Sequence, residues 1–387
     1  MKDITIITSY FPPETGAASN RIHHLAEGLQ QLGYKVSVVT PLPNYPTGRI
    51  FEGFRGKFNH VSEENGVTVH RLWIFASNSK NKLLRLLAML SYSISLLWFF
   101  IRNTLPKKVI VQSPPLLVAF TCMLFLRSKK RKLILNVSDL WPIAGLELGA
   151  FQKNFSYRVL ERIEKFNYQH ANLILGQSEE ILSHVLSIAP NQDTFLYRNF
   201  PNFIPPELPE TASETKTLKL VYAGLLGIAQ GIYSLCAQLD FEGIELHLYG
   251  SGAEQSKIEA FIAKHPHLPI AYHGQVGRQE LHRVLLQYDV TIIPLLNRIY
   301  GSVPSKIFEY AKLGLPMLYF GGGEGESLIK HHKLGWTAEA GNYQNLNKVL
   351  SAIKKETLSH QFKTDIQDSA RTHFDFNRQL QQLSKVI

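Results

Sequence analysis

The sequence predicts an α/β protein of two domains, each built around a parallel β-sheet. Short runs rich in valine and isoleucine alternate with longer helical patterns along the chain, which is typical of β-α-β units. A chain of 387 residues is long for one core and suits two. A proline-rich segment near the middle separates one such alternation from the next.

The first half carries six predicted strands and four predicted helices. The strands lie near Ile4–Ser9, Lys35–Thr40, Val67–Leu72, Lys108–Gln112, Lys132–Val137 and Leu173–Gly176. The helices lie near Ala18–Leu32, Leu83–Asn103, Leu116–Leu126 and Ser156–His170. In the second half, strands separated by helices are predicted near Leu218–Tyr222, Glu245–Tyr249, Ile270–His273, Val290–Ile293 and Pro316–Phe320.

The proline-rich segment begins at Arg198, contains four prolines and leads into the polar run Glu210–Lys216. Proline removes backbone donors and breaks regular structure, so the segment is predicted to be an interdomain linker. The predicted boundaries are residues 1–197 for the first domain, 198–216 for the linker and 217–370 for the second domain. Residues 371–387 end the chain with a helix near Asn377–Ile387, which could pack back on the first domain. The cleft between two such domains is the expected site.

Composition and charge narrow the class of protein. The sequence is 45% hydrophobic and 19% charged, which indicates a globular chain. Its formal charge of +10 favours an anionic partner such as phosphate, acidic lipid or nucleic acid. Cys122 and Cys236 each lie in an apolar stretch outside any metal-binding pattern, so buried thiols in a reducing cytoplasm are expected. The apolar run at the N-terminus is short and predicts a first strand rather than a signal peptide.

Glycine-containing turns follow several predicted strands. In the first domain, the segment Phe11–Arg21 leads into a helix, and Gly16 and Arg21 are candidate ligands of a negatively charged group at that helix start. In the second domain, three successive strands end in such turns. Their candidate ligand-binding residues are Gly224, Gly227, Gln230, Gly250, Gly252 and Val276. Each turn alone is equally well explained as an ordinary loop, but in a parallel sheet the three share one edge. Together they predict a ligand with an extended polar body.

The segment Tyr300–Pro316 predicts a phosphate-binding loop followed by a helix. Residues 301–305 would offer free amides and hydroxyls, and the candidate contacts are Ser302, Val303, Pro304 and Ser305. Lys306 supplies a point charge for the same phosphate. Glu309 lies one turn later and could accept hydrogen bonds from a ribose diol. The alternative is a capped surface helix with an ion pair between residues three apart.

These motifs resemble those of the family four retaining glycosyltransferases, and most closely the O-antigen and capsule enzymes that include L-fucosamine (N-acetyl-L-fucosamine) transferases. The resemblance covers essentially the whole chain and rests on four motifs: Tyr45-Pro-Thr-Gly-Arg49, Asp139-Leu-Trp-Pro142, 224–231 and Val303-Pro-Ser-Lys-Ile-Phe-Glu309. It implies the GT-B fold, in which two Rossmann-like domains face each other across a cleft. It also implies a nucleotide diphosphate sugar donor, here a UDP-sugar, bound mainly by the second domain without a required metal or other cofactor. The sequence agrees on the metal, since it contains no Asp-x-Asp motif.

The chain departs from the family pattern at two places. The family has paired glutamates eight positions apart, and here Glu309 matches the second while Gly301 stands at the first. The family also has a basic pair in its glycine turn, where this chain has Leu225 and Gln230. Phosphate charge must then be met by Lys306, Arg21 or Arg298 and by helix N-termini. An N-acetylated 6-deoxy amino sugar, which lacks some of the usual hydroxyls, fits these losses.

Asp139 is the candidate catalytic residue of the first domain, beside Lys306 of the second. It follows the strand Lys132–Val137, and it could accept a proton from the acceptor hydroxyl or hold that hydroxyl in place. The alternative is a helix N-cap, because Asp139 precedes Leu-Trp-Pro. In a retaining transfer the leaving phosphate can serve as its own base, so Asp139 need not be essential.

Two apolar runs suggest contact with a membrane. Leu86–Ile101 contains sixteen uncharged residues between two arginines, short of the ~20 needed to span a bilayer. Leu116–Leu126 is followed by the basic segment Arg127–Lys132, which suits an anionic leaflet. A buried or half-buried helix and a solvated charge run are the alternatives. The expected location is the cytoplasmic face of the cell membrane, with an undecaprenyl-diphosphate-linked acceptor.

The sequence leaves two other functions open. A UDP-sugar epimerase on the same fold would need acid and base carboxylates around the donor sugar. Glycine at position 301 leaves few candidates for these carboxylates. A nucleic-acid-binding function would explain the positive net charge, but such a protein is expected to have aromatic residues among its basic ones. The basic segment 127–132 has no aromatic residue. A transferase acting in bacterial surface polysaccharide synthesis, without nucleic acid as a partner, is therefore the main expectation.

Overall fold

The computed structural model describes residues 2–79, 81–147, 149, 152–209 and 217–387. The strands are β1 (Lys2–Ile7), β2 (Tyr34–Pro41), β3 (Asn59–Glu64), β4 (Val67–Leu72), β5 (Lys108–Ser113), β6 (Lys132–Val137), β7 (Leu173–Gly176), β8 (Thr194–Leu196), β9 (Leu218–Ala223), β10 (Ile244–Tyr249), β11 (Ile270–Tyr272), β12 (Val290–Pro294), β13 (Met317–Phe320) and β14 (Gly335–Ala338). The helices are α1 (Ala17–Gln31), α2 (Lys82–Arg102), α3 (Leu116–Leu126), α4 (Ile143–Glu147), α5 (Phe155–His170), α6 (Glu179–Ile188), α7 (Ile232–Gln238), α8 (Gln255–Lys264), α9 (Arg278–Leu285), α10 (Lys306–Lys312), α11 (Glu324–His331), α12 (Tyr343–Ser351), α13 (His360–His373) and α14 (Phe376–Val386).

The chain divides into two compact units. The first comprises Met1–Asn199, Ile299–Ser302 and Asn377–Ile387, and the second comprises Phe200–Arg298 and Val303–Phe376. The predicted domain boundaries stay predictions, and residues 210–216 of the predicted linker lie outside the described residues.

The first unit contains an eight-stranded sheet in the order β3-β4-β2-β1-β5-β6-β7-β8. Its strand pairs are parallel except β3 with β4. The central strands are apolar on both faces, as in Val109, Ile110 and Val111 of β5, which are all fully buried. Such continuous apolar runs are expected where helices cover both faces of a parallel sheet.

The second unit contains a six-stranded sheet in the order β11-β10-β9-β12-β13-β14, and all its strand pairs are parallel. Its core includes Leu220 of β9, Leu246 of β10 and Ile292 of β12, each fully buried. Both units are therefore Rossmann-like α/β domains, and the predicted fold class is confirmed.

The structure differs from the sequence-based elements mainly at the sheet edges. Strand β3 was not predicted, although Asn65-Gly66 directly before β4 is a typical signal for a two-residue hairpin. Both turn residues adopt positive φ, at 50° and 77°, as a type I′ turn requires. The short strands β8 and β14 were also not predicted. Helix α13 continues to His373, past residue 371, and the last helix begins at Phe376.

Helix α2 matches the predicted helix Leu83–Asn103 to within one residue at each end, and it extends beyond the uncharged run Leu86–Ile101 on both sides. Its segment Leu83–Arg102 is long and apolar enough to cross a membrane, and 22% of the most apolar window within it is buried. On its inner side Ala88, Tyr92 and Leu96 are buried. The Tyr92 hydroxyl lies 2.9 Å from the Thr8 carbonyl oxygen. Helix α2 is thus packed against the first sheet on one side only.

Candidate active site

The three predicted glycine turns meet at one edge of the second sheet. Strands β11, β10 and β9 are neighbours and parallel, so their carboxyl ends lie side by side. The turns are joined by backbone hydrogen bonds from Gly224 N–H to the Tyr249 carbonyl (2.9 Å) and from Gly250 N–H to the Gly274 carbonyl (2.7 Å). The prediction that these turns share an edge is confirmed.

Two of the glycines are explained by how closely the turns approach. A Cβ at Gly250 would collide with the Gly224 carbonyl oxygen, and one at Gly252 would lie 2.5 Å from the Leu226 carbonyl oxygen. Both have positive φ, at 128° and 159°, where other residues are strained. These contacts by themselves require glycine at both positions, and contact of either residue with a donor stays a prediction.

Lys306 lies directly against the first of these turns. Its Nζ donates a hydrogen bond to the Ala223 carbonyl oxygen and lies 4.6 Å from the centre of the Tyr222 ring. A side chain at Gly224 would collide with the Lys306 ammonium. Burial lowers the pKa of Lys306 to about 8, although the nearby Glu309 opposes this shift. A desolvated cation therefore stands beside a turn that only glycine can form.

Glu309 sits one turn further along α10 and is held by α9. Its Oε1 accepts a hydrogen bond from His282 Nε2 (2.8 Å) and lies 3.4 Å from Arg278 Nε. Burial disfavours its ionised form, but the His282 hydrogen bond and the charges of Arg278 and Lys306 outweigh burial and lower the pKa of Glu309. The carboxylate is thus kept ionised and oriented, while its predicted contact with a ribose stays a prediction.

The residues that replace the family's basic pair differ in exposure. Leu225 is 64% exposed. The Oε1 atom of Gln230 is buried and has no hydrogen-bond partner among the described residues. Its backbone N–H donates to the Gly227 carbonyl (3.1 Å). Val276 is half-buried between β11 and α9.

The predicted free amides before α10 are only partly present. Within the first unit, the Gly301 amide donates to Glu180 Oε2 (3.0 Å) and its carbonyl accepts from the Ser178 hydroxyl (2.7 Å). The Ser302 amide donates to the Ile299 carbonyl (2.9 Å). The expectation of free amides at 301 and 302 is therefore wrong, because the Glu180 carboxylate bonds the first and a local turn bonds the second.

The remaining residues of that loop lead directly into α10. Ser305 is its N-cap, and its carbonyl accepts from the Glu309 amide (3.1 Å). Val303 is buried, and Pro304 and Ser305 are half-buried. The roles of Val303, Pro304 and Ser305 toward a phosphate stay predictions.

In the first unit, Asp139 and Arg21 form an electrostatic pair. Burial raises the pKa of Asp139, while Arg21 and a hydrogen bond from Ser138 oppose this shift. Arg21 is buried, with 6% of its surface exposed, and its Nη1 donates to Gln177 Oε1 (2.6 Å). Helix α4 begins at Ile143, four residues after Asp139, so the N-cap alternative is wrong. Gly16 caps α1 with φ of 148°, and its contact with a donor stays a prediction.

The sequence did not single out His282 or Tyr222. Arg278 and His282 are four apart on α9 and so share a helix face. This spacing was visible, but their partner Glu309 lies far along the chain. Tyr222 contributes a hydroxyl that donates to the Leu225 carbonyl (2.6 Å) and so fixes the glycine turn beside Lys306.

Comparison with known proteins agrees with this architecture. Residues 16–193 match the glycosyl transferase 4-like domain, and residues 219–355 match glycosyl transferases group 1. No curated protein matches the sequence.

Solved structures share the fold at low identity. Sucrose-phosphate synthase (tll1590) from Thermosynechococcus elongatus has a TM-score of 0.75 at 13% identity, covering 100% of this chain and 98% of that one. Anabaena Alr3699/HepE in complex with UDP and glucose has a TM-score of 0.67 at 13% identity, covering 100% and 99%. WaaG, a glycosyltransferase involved in lipopolysaccharide biosynthesis, has a TM-score of 0.63 at 13% identity, covering 99% of each chain. With its 4-like domain followed by a group 1 domain, this chain is a glycosyltransferase of the GT-B type.

Proposed function

We propose that the protein is a retaining glycosyltransferase that uses a UDP-sugar donor and a lipid-linked saccharide acceptor in bacterial surface polysaccharide synthesis. The second unit would bind the nucleotide diphosphate, and the first would hold the acceptor hydroxyl. The motifs 139–142 and 303–309 support this proposal by their resemblance to O-antigen and capsule enzymes. That Anabaena Alr3699/HepE was solved with UDP and with UDP-glucose adds support from a protein of the same fold.

The observation that carries the proposal is the position of Lys306. Its ammonium is desolvated beside the Gly224 turn, yet it forms no ion pair within the part of the chain that the structure describes. A buried cation is costly unless an anion compensates it. A diphosphate lying along the glycine turn would supply that anion, and the ionised Glu309 one turn away would then face the ribose.

The proposed chemical step assigns one role to each of these groups. The bond between the anomeric carbon and the β-phosphate oxygen breaks, and Lys306 offsets the charge that develops on the leaving diphosphate. A bond forms between the acceptor oxygen and the same face of the anomeric carbon. The acceptor proton passes to the leaving phosphate oxygen, with Asp139 holding the hydroxyl in place. The products are UDP and the extended saccharide, so atoms and charge balance.

The donor sugar is proposed to be an N-acetylated 6-deoxy amino sugar, as in the L-fucosamine transferases. Glycine at position 301 leaves the donor sugar without the first of the family's two glutamates, so fewer sugar hydroxyls can be bound.

Transfer is proposed to need no divalent metal, because the sequence has no Asp-x-Asp motif. Activity that persists in EDTA would support this part of the proposal. The proposed location is the cytoplasmic face of the membrane, where a lipid-linked acceptor would be found.

A panel of UDP-sugars tests the proposal. The donor should raise the melting temperature, since a ligand that binds only the folded state stabilises it. UDP should then be released from that donor only when an acceptor is present. Conversion of the UDP-sugar to another sugar without acceptor would instead support an epimerase and contradict the proposal.

A further inference from the structure

The outer side of α2 is an uninterrupted apolar stripe. Leu83, Leu87, Leu90, Ile94, Trp98 and Ile101 recur every three or four residues, so they lie on one side of the helix. Their exposed fractions run from 40% for Leu90 to 78% for Ile101. At 1.5 Å per residue the 21-residue helix is about 30 Å long. Soluble proteins rarely expose a contiguous apolar surface of this extent without a partner.

The opposite side of α2 fixes the helix along the first unit. Tyr92 and Leu96 belong to the core of that unit, and Phe99 and Phe100 pack against it. The Tyr92 hydroxyl reaches the carbonyl oxygens of Thr8, which follows β1, and of Val39, which lies in β2. Because crossing a bilayer would remove these contacts, the apolar stripe can meet a membrane only by lying parallel to its surface.

A cavity of about 330 Å³ opens at the C-terminal ends of α2 and α3. It is lined by Ile101, Arg102 and Asn103 from α2 and its end, and by Phe125 and Arg131 from α3 and the turn after it. No carboxylate is among its described lining residues. Arg131 is held in place because its Nη1 donates to the Leu126 carbonyl (2.8 Å) and its Nε to the Pro106 carbonyl (3.3 Å). The Arg102 guanidinium lies 4.3 Å from the Trp98 ring centre.

We propose that the α2 stripe inserts into the interfacial layer of an anionic bilayer and that this cavity receives the phosphate of a phospholipid headgroup. Ile101 and the 58% exposed Phe125 would contact the acyl chains, while Arg102 and Arg131 contact the phosphate. A helix with an apolar face beside basic side chains is the usual form of such a surface. The protein would then meet the membrane with the exposed side of α2, and the ligand of the cavity would be an anionic phospholipid.

The basic residues of the segment Arg127–Lys132 are not all free to contact lipid, although the sequence suggested one basic surface. Arg127, Lys129 and Lys130 are exposed after α3 and are available to acidic lipid. Lys132 lies in β6, and its Nζ donates to the Val386 carbonyl (2.5 Å). Removing the charges of Arg131 and Lys132 would therefore disturb the fold as well as any lipid contact.

Arg85, near the start of α2, and Asp139 both influence the Tyr10 hydroxyl. Burial raises the pKa of Tyr10, Asp139 raises it further, and Arg85 near the start of α2 lowers it. Arg85 and Asp139 are therefore both within electrostatic range of one hydroxyl. If α2 docks on a membrane, lipid headgroups would lie near Arg85. The use of this surface to receive an acceptor rests on the proposed function, in which the acceptor is lipid-linked.

Flotation with vesicles of 30% phosphatidylglycerol in phosphatidylcholine tests the docking surface. The double variant Ile94→Ser, Ile101→Ser should bind at least about tenfold more weakly, because its apolar contacts with lipid are lost. Arg102→Gln should weaken binding about fivefold on these vesicles and not on pure phosphatidylcholine. Ile204→Ser, at a 95% exposed position, and Arg371→Gln, at an exposed ion pair, are the matched controls and should bind like wild type.

Unchanged flotation of the double variant would overturn the proposal. So would a dimer, seen by sedimentation, that the double variant abolishes, since a second copy would then cover the stripe. Equal loss of inorganic phosphate binding by Arg102→Gln without vesicles would make the cavity a small-anion site instead. Transfer to a soluble acceptor analogue should survive in all four variants. Wild-type protein that floats but transfers no sugar would contradict the proposed function and leave the docking surface intact.

Discussion

Asp139 in the first unit and Glu309 in the second are both partly buried carboxyl groups beyond the carboxyl ends of parallel strands, yet their pKa values shift in opposite directions. Burial raises the pKa of Asp139, and its cationic neighbour Arg21 does not overcome this. The pKa of Glu309 is lowered in spite of burial, because His282, Arg278 and Lys306 surround it. Burial therefore raises the pKa where one arginine opposes it, and is outweighed where a hydrogen bond and several neighbouring basic side chains oppose it together.

This difference indicates a division of labour between the two units. A carboxylate that is firmly ionised and hydrogen-bonded suits the binding of a neutral diol, because it accepts hydrogen bonds without changing charge. A carboxyl group that ionises less readily suits contact with a hydroxyl that loses a proton during the reaction. The four variants and conditions below test this division.

The largest effect is expected for Lys306→Ala. Without the ammonium, the charge on the leaving diphosphate is uncompensated, and kcat/KM should fall about 100-fold. By calorimetry, UDP should lose more affinity than uridine, which carries no phosphate. Lys330→Ala removes an exposed lysine paired with Glu326 and should change neither value. Equal losses for UDP and uridine would show that Lys306 supports the fold rather than the diphosphate.

Asp139→Asn should lower transfer about thirtyfold, as expected for a lost hydrogen bond to a charged group of about 2 kcal/mol. UDP affinity should stay within about twofold, because the donor is proposed to bind the other unit. Asp3→Asn, at the exposed start of β1, is the control for carboxylate removal. A parallel loss of UDP affinity in Asp139→Asn would contradict the division between the two carboxyl groups.

Much of the fold could be predicted from the sequence because its signals are local. The strands β4, β6 and β7 match their predicted bounds, since β6 and β7 are short, mainly apolar runs and β4 begins with alternating apolar and polar residues. The edge strand β3 was missed because it alternates exposed and half-buried residues and has little apolar content. Its hairpin turn, Asn65-Gly66, was the available signal.

The site was harder to predict, because its contacts join residues distant along the chain. The sequence identified Lys306 and Glu309 from their spacing on one helix. It could not reveal that Lys306 bonds the Ala223 carbonyl or that His282 bonds Glu309, since neither contact leaves a local pattern. At Gly301 the sequence suggested a contact that the structure does not support. A glycine-containing loop predicts free backbone donors, but the Gly301 amide donates to Glu180.

Glu309→Gln should weaken UDP binding about tenfold, or about 1.4 kcal/mol. The substitution keeps the shape of the side chain but removes the charge that the ribose hydroxyls and His282 share. Calorimetry with UDP and with free diphosphate distinguishes a contact with the ribose from a contact with the diphosphate, because only UDP carries the ribose. Glu326→Gln, at an exposed ion pair, serves as control. An unchanged affinity for UDP would show that Glu309 only orients α9 and does not bind the nucleotide.

The smallest effect is expected from pH, and it tests the charge of Lys306 without any substitution. Because burial lowers the pKa of Lys306 to about 8 from 10.5, its ammonium is present below pH 8 and is lost as pH rises through that value. Between pH 7.5 and 8.5 the protonated fraction falls about threefold, and UDP affinity should fall by the same factor.

The stability of the empty protein should respond with the opposite sign over this interval. From pH 8 to 10.5 the unfolded chain binds more protons at Lys306 than the folded chain does, so this group's contribution to the free energy of unfolding rises with pH. A loss of UDP affinity without a loss of thermal stability would therefore distinguish deprotonation of Lys306 from alkaline unfolding. In Lys306→Ala the remaining UDP affinity should be flat between pH 7.5 and 8.5. A wild-type affinity that is equally flat would mean that the ammonium does not contact the diphosphate, and the contrast between the two units would then rest on Glu309 alone.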